Sequence, residues 1–247
     1  NENVAIGNFA LRSNDNTNSV AIGFKALCAN TTGANNTAVG TNSLDGNTTA
    51  SNNTSLGKSS LGANTTGCEN TAIGKDAMLA NTTGIRNVAV GKGALKTNIT
   101  GSSNVAIGRE ALGVATNNNN TSVGFDSMQA TTTGADNTAV GMKALFTNTI
   151  GIGNTAIGTY ALQANTTACE NTAVGYVALS TNTTGTANTA VGRGALQVST
   201  TGIYNTATGY NSLAENTTAS NNTAFGGEAL KKTTTASSNT AVGTSAL

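Results

Sequence analysis

The side chains that could do chemistry in this chain are few and scattered. Among 247 residues there are no His, three Cys and eleven Asp or Glu. Because His is the commonest general base and a common metal ligand, its absence argues against acid–base catalysis and transition-metal binding. The carboxylates form no pair at a fixed recurring spacing, which argues against two-carboxylate catalysis and against a calcium array. The sequence therefore predicts a protein that is not an enzyme, without catalytic residues, cofactor or metal.

Composition excludes two further classes of function. Charged residues make up 9% and the net charge is +1, whereas a nucleic-acid-binding surface needs clustered positive charge. No apolar run approaches the roughly 18 residues of a membrane-spanning helix. We therefore expect no nucleic-acid partner and no membrane insertion in this segment.

The elements that position these residues form one repeat that covers the whole chain. A Gly closes an "AVG"-like triplet fifteen times, from Gly7 to Gly243, at intervals of 17 residues with two one-residue deletions, before Gly23 and before Gly124. The consensus is N-T-A-V-G-x-x-A-L-x-x-N-T-T-G-x-x. We number repeat positions from this Gly as position 0. The sequence predicts a single repeat domain over 1–247, part of a longer fibrous protein.

The chemistry of the repeat predicts short stacked strands. Positions −3 and −1 are β-branched or apolar and share one face of a strand, Gly permits a bend, and Asn-Thr-Thr-Gly is typical of turns. One copy cannot bury its apolar face, but stacked copies form a continuous core. We predict an all-β parallel β-solenoid of about fifteen 17-residue coils. An alternative is one helical turn per repeat, since segments such as Arg109-Glu110-Ala111-Leu112 are good helix formers.

Two positions predict ladders along the stack. Position −4 is Asn in every copy except at Ser19, and stacked amides can hydrogen-bond along the axis. Position +4 is always Leu or Met, which predicts a structural ladder in the interior or between chains: Leu27, Leu44, Leu61, Met78, Leu95, Leu112, Met128, Leu145, Leu162, Leu179, Leu196, Leu213 and Leu230. Positions +1 and +2 vary freely, so Lys75, Asp76, Arg109 and Glu110 are expected to be exposed.

Asn-x-Ser/Thr sequons recur at position +7 and are candidate glycosylation sites. A decorated column would follow one edge if the chain meets a glycosylation system. The alternative is a turn residue whose side chain bonds the backbone. The residues are Asn30, Asn47, Asn64, Asn81, Asn98, Asn165, Asn182 and Asn216.

The cysteines are not spaced for a disulfide within the chain. Cys68 and Cys169 share a repeat position six coils apart, roughly 29 Å at about 4.8 Å per coil, too far to bridge. Cys28 lies at another position, two to three coils from Cys68. We interpret them as isolated small side chains, with interchain bridging as the alternative.

Threonine at positions +8 and +9, as in Thr31-Thr32 and Thr65-Thr66, suggests an ice-binding solenoid as the alternative function. Such solenoids display regular Thr arrays. Adjacent strand residues point to opposite faces, so only one of these columns could face outward. Ile99 and Ile150 interrupt the array.

The string Asn18-Ser19-Val20-Ala21-Ile22-Gly23 resembles the head repeat of trimeric autotransporter adhesins. The fuller consensus is similar to repeats of phage tail-fibre-type proteins. The resemblance covers the whole chain, although the 17-residue period is longer than in adhesin heads. It implies a left-handed β-roll-like fold in a trimeric fibre, and a structural fibre or adhesin segment of a cell-surface or virion appendage. It also implies an extracellular location, identical chains as partners in a homotrimer or filament, and a host-surface receptor or glycan as a further partner.

Overall fold

The computed structural model describes residues 2–13 and 17–247 and divides the chain into two compact units, 1–120 and 121–247. The division falls within the interval shortened by the second deletion. The first deletion lies in a stretch that includes residues 14–16, which are outside the described residues. The strands of the first unit are β1 Val4–Ile6, β2 Val20–Ile22, β3 Thr37–Val39, β4 Thr54–Leu56, β5 Thr71–Ile73, β6 Val88–Val90 and β7 Val105–Ile107. Those of the second are β8 Thr121–Val123, β9 Thr138–Val140, β10 Thr155–Ile157, β11 Thr172–Val174, β12 Thr189–Val191, β13 Thr206–Thr208, β14 Thr223–Phe225 and β15 Thr240–Val242.

Within each unit, consecutive strands pair in parallel and in register. Thr71 pairs with Val88, and Thr155 with Thr172, so equivalent repeat positions lie one above another. This is the predicted parallel β-solenoid with one strand per repeat. The described residues contain no helix, so the alternative of one helical turn per repeat is wrong.

Two tight turns close most of the coils. In the coil of Gly57, the Ser60 amide donates to the Gly57 carbonyl at 3.4 Å, and the Asn64 amide donates to the Leu61 carbonyl at 3.1 Å. Most other amides donate to the neighbouring coil; the Leu61 amide, for example, bonds the Ala77 carbonyl at 3.0 Å. The stack thereby satisfies backbone groups that a lone coil would leave unpaired.

The bends place three non-glycine positions of the coil in the left-handed region. Ser59 at position +2 has φ 56°, Leu61 at +4 has φ 49°, and Asn52 at −5 has φ 62°. Gly57 itself has φ 139°, and a Cβ on it would lie 2.6 Å from the Gly74 carbonyl oxygen. Gly is therefore required at position 0 for two reasons: its backbone conformation, and the close approach of the next coil.

The middle residue of every strand except β1 is buried. Apart from the terminal coils, Ala or Ser at −2 and +3 is buried or nearly so; Ala72 and Ala77 have no exposed surface. These small residues pack inside their own coil, so they do not form a surface for a neighbouring chain.

Candidate functional site

The Leu and Met side chains of the predicted ladder lie in the interior of the two units. Leu27 through Leu213 of the predicted ladder are completely inaccessible, and Leu230 near the end is 3% exposed. With positions −2 and +3 they form the apolar part of the core. This places the ladder in the interior of the chain rather than between chains.

The Asn side chains at position −4 form a hydrogen-bonded ladder. The Oδ1 of Asn87 accepts from the Asn104 backbone amide at 2.9 Å and from Asn104 Nδ2 at 3.2 Å. Its Nδ2 donates to Asn70 Oδ1 at 3.2 Å and to the Gly101 carbonyl at 2.8 Å. The predicted stacking of these amides is present, and it ties each strand entry to the next coil.

The prediction that the Asn residues at position +7 are glycosylation sites is wrong for the folded chain. Asn30, Asn47, Asn64, Asn81, Asn98, Asn165, Asn182 and Asn216 have no exposed surface. Their amides form a second ladder: Asn64 Nδ2 donates to Asn47 Oδ1 at 3.1 Å and to the Gly67 carbonyl at 2.9 Å. A glycan on these nitrogens would have to occupy the packed interior, so in the folded chain these residues are structural.

This second ladder is interrupted, and the interruption leaves buried atoms without partners. Asn182 Oδ1 and Ser199 Oγ, at position +7 of successive coils, make no hydrogen bond. Both residues are fully buried. Leaving a buried acceptor unsatisfied costs about 1–3 kcal/mol.

Ser199→Asn is therefore expected to raise the free energy of unfolding by about 1 kcal/mol, because the new Nδ2 reaches Asn182 Oδ1 as Asn182 reaches Asn165 at 3.0 Å. Chemical denaturation of the variant and the original chain would measure this. Thr201→Asn, on an exposed side chain of the same turn, is the control and should change stability little. A destabilised Ser199 variant would contradict the ladder's role.

The outer face of the strands carries apolar side chains. Leu56 and Ile157 at position −1 are 46% and 40% exposed, and Phe225 is 59% exposed. Position −3, Val or Thr, points to the same side and is partly exposed. Each unit therefore presents two parallel columns of β-branched and apolar residues outward.

The Thr side chains at positions +8 and +9 differ in their hydrogen bonding and exposure. At position +8 the hydroxyl donates to the backbone of the next coil, as from Thr65 to the Thr82 carbonyl at 3.1 Å and from Thr166 to the Thr183 carbonyl at 3.1 Å. At position +9, Thr66 and Thr167 are exposed. The column at +9 is therefore the more exposed of the two.

Two kinds of hydrogen bond in the coil were missed by sequence reasoning. Cys68 Sγ accepts a hydrogen bond from the Ser51 amide at 3.3 Å. In the equivalent position of another coil, Ser102 Oγ accepts one from the Ile85 amide at 3.1 Å. Ser55 and Ser122 at −2 bond Ser60 and Ser127 five residues later. The signals were a Ser/Cys exchange at position −6 and the joint appearance of Ser at −2 and +3. None of the three cysteines forms a disulfide in the described chain.

The freely varying positions are more exposed at +1 than at +2. Lys75 and Arg109 are exposed, as expected, whereas Asp76 and Glu110 are only partly exposed.

An open hollow of about 460 Å³ lies between Asp45 and Leu79, where Gly62 provides no side chain at position +5. Partial burial raises the pKa of the Asp45 carboxyl above its usual range.

Among residues 2–13 and 17–247, no group of three or more Cys, Asp or Glu is arranged to hold a metal ion. The same residues contain no helix long and apolar enough to cross a membrane. Comparison with protein-family models and with curated proteins found no match for this chain.

Proposed function

We propose that this chain is a non-catalytic structural segment of a fibre or adhesin on a cell or virion surface, and that it assembles with identical chains. The outward column of mostly apolar side chains at −1, beside the Thr and Val column at −3, carries this proposal. Contiguous exposed apolar surface of this kind marks interaction sites in soluble proteins. Its partner should repeat with the same period, and a second copy of the chain does so at every coil.

The even distribution of chemistry supports a structural role. An active site concentrates perturbed ionisable groups at one place. Here the interior is the same small set of Leu, Ala and Asn residues in coil after coil. The resemblance to adhesin heads and tail-fibre repeats favours three chains.

Assembly is tested by the mass in solution. The original chain is expected to sediment as a multiple of 24.3 kDa, most simply three copies. The double variant Leu56→Lys, Ile157→Lys places a charge on the outer strand face of each unit and should dissociate it to single chains, because an unpaired charge in an interface is costly.

The matched control is Ile99→Lys, Ile152→Lys. These side chains are 48% and 46% exposed but lie outside the strands, so this variant should keep the mass of the original. A single chain for the original protein, or equal dissociation of both variants, would overturn assembly through the strand face.

Ice binding is the second candidate, and one observation favours it. In most coils the outer strand face pairs a Thr column at −3 with a Val or Ile column at −1, at the regular spacing of parallel strands, about 4.8 Å. Thermal hysteresis of the purified chain separates the two functions. A freezing gap that the Leu56→Lys, Ile157→Lys variant abolishes would replace assembly with ice binding at this face.

A further inference from the structure

We propose that position +1 of the coils forms, in each unit separately, a binding column for a linear anionic polysaccharide. The basic-aromatic column comprises Phe24, Lys58, Lys75, Lys92 and Arg109 in the first unit and Phe125, Tyr176, Arg193 and Tyr210 in the second. This inference rests on the proposed adhesive function and gives it a class of ligand. The column follows the invariant Gly and consists of residues other than those of the strand face proposed for assembly.

In the first unit, four consecutive coils present a cation at this position. Their side chains are exposed, and the backbone fixes their spacing. The Asp76 amide donates to the Lys58 carbonyl at 3.0 Å, and the Glu110 amide donates to the Lys92 carbonyl at 3.0 Å. The cations therefore follow one another at about the strand spacing, roughly 4.8 Å.

Neighbouring like charges in register are unfavourable, because opposed like charges destabilise a sheet. Within the chain, Lys75 lies 3.7 Å from Asp76, in a pair whose side chains are 55% and 22% exposed. An anionic polymer lying along the column would neutralise all four cations at once. That complementarity points to a ligand with regularly repeated negative charge.

In the second unit, the same position presents rings and a guanidinium. Arg193 Cζ lies 6.0 Å from the Tyr176 ring centroid and 5.6 Å from that of Tyr210. Tyr176 also meets Tyr160 edge to face, with centroids 6.3 Å apart. Both column tyrosines are about half exposed, at 50% and 49%. Exposed rings pack against the C–H faces of sugars, and the cation between them suits a carboxylate or sulfate.

The distribution of charge over the repeat singles out this position. Five of the twelve Lys and Arg residues and four of the nine Phe and Tyr residues lie at +1, where none of the eleven acidic residues occurs. The adjacent position +2 holds four of those acids, Asp76, Glu110, Asp126 and Glu228. A merely solvated position would accept both signs of charge.

A polysaccharide fits better than a nucleic acid. An extended uronate polymer carries one carboxylate per sugar, a repeat comparable with the coil spacing. A nucleic-acid site needs a denser positive field, whereas this column is flanked by carboxylates and the chain has a net charge of only +1.

The test measures affinity for polygalacturonate, with its fully methyl-esterified form and single-stranded DNA as comparison ligands. The column variant is Lys58→Gln, Lys75→Gln, Lys92→Gln. The control is Lys96→Gln, Lys231→Gln, Lys232→Gln, outside the column. Each changes the net charge from +1 to −2, so non-specific attraction falls equally. The melting temperature and sedimented mass are recorded for every variant, which separates loss of binding from loss of folding or assembly.

We expect the original chain to bind polygalacturonate, with an affinity that falls as the salt concentration rises, and not to bind the esterified polymer. Loss of three exposed ion pairs should weaken binding by about tenfold or more in the column variant, with little change in the control. Absence of binding, or equal loss in both variants, overturns the column. DNA binding as tight as polygalacturonate binding, with the same dependence on the column, overturns the polysaccharide assignment. A chain that sediments as a monomer yet binds through the column would refute only the assembly proposal.

Discussion

Leu162→Asp is expected to lower the free energy of unfolding by about 5 kcal/mol at neutral pH, since it removes a buried side chain and introduces a buried charge. Leu162 has no exposed surface, and its amide is held by the Ala178 carbonyl at 3.0 Å. The new carboxyl would therefore lie in the interior between its own coil and the next. Denaturant unfolding followed by circular dichroism would measure the loss.

Thr167→Asp is the control in the same coil. Thr167 is exposed, so the same charge there should change stability by less than about 0.5 kcal/mol. The Leu162 variant should also recover stability at low pH, where its carboxyl is protonated. Unchanged unfolding of that variant at pH 7 would contradict the interior ladder.

The strand, the bend and the stacking were predictable from sequence because they depend on residue type at a fixed period. Gly57, with its φ of 139° and its contact with the next coil, is the kind of position at which only Gly is accommodated. Leu at +4 is invariant in apolar character because it is enclosed on all sides. The Asn ladder at −4 followed from the same reasoning, since identical amides in register can bond one another.

The direction of the remaining side chains was not predictable from the period alone. Alternation shows that −3 and −1 share a face, and the expectation that stacking buries this face is wrong, because alternation does not say which face is inward. Ala at −2 proves to be the buried residue because the coil interior is narrow and already holds Leu and Asn. A strand that buries its smallest residue and exposes Leu56 departs from the usual tendency of large aliphatic side chains to be buried.

The prediction of glycosylation sites at position +7 was wrong for a related reason. The pattern Asn-Thr-Thr is shared by surface turns and by this coil, and the local sequence cannot report that the turn folds its amide inward. Asn64 is satisfied by Asn47 in the preceding coil and by Gly67 in its own. Burial of this side chain is a property of the stack, which no single repeat encodes.

Asn87→Asp is expected to make stability strongly dependent on pH. In the original chain, Asn87 Nδ2 donates to Asn70 Oδ1 at 3.2 Å and to the Gly101 carbonyl at 2.8 Å. An ionised carboxylate would turn an oxygen toward these two acceptors, whereas a protonated carboxyl could still donate to one of them. Folding should therefore raise the pKa of the introduced carboxyl above its unfolded value of about 3.9.

The sign of the pH dependence follows from the higher pKa in the folded state. Below the unfolded pKa the carboxyl is protonated in both states, and the variant should be close to the original chain. As pH rises toward the elevated folded pKa, the unfolded state loses its proton first, and stability falls by about 1.4 kcal/mol per pH unit. Full burial can bring the pKa of a carboxyl to about 7, so the total loss should be about 4 kcal/mol. Because the chain has no His, the original protein gives a nearly flat baseline between about pH 5 and 8.

Denaturant unfolding from about pH 3 to about pH 8 would measure this loss, with Asn221→Asp as the matched control. Asn221 is exposed and lies at position −5 rather than −4, so its carboxyl should titrate normally and leave stability unchanged above about pH 5. If the Asn87 variant were as stable at the upper end of this range as at the lower end, the amide ladder would not be what joins the coils. A loss confined to that variant would show that the stack depends on an uncharged donor at Asn87, which accounts for Asn, and not the nearly isosteric Asp, at the equivalent position of the neighbouring coils.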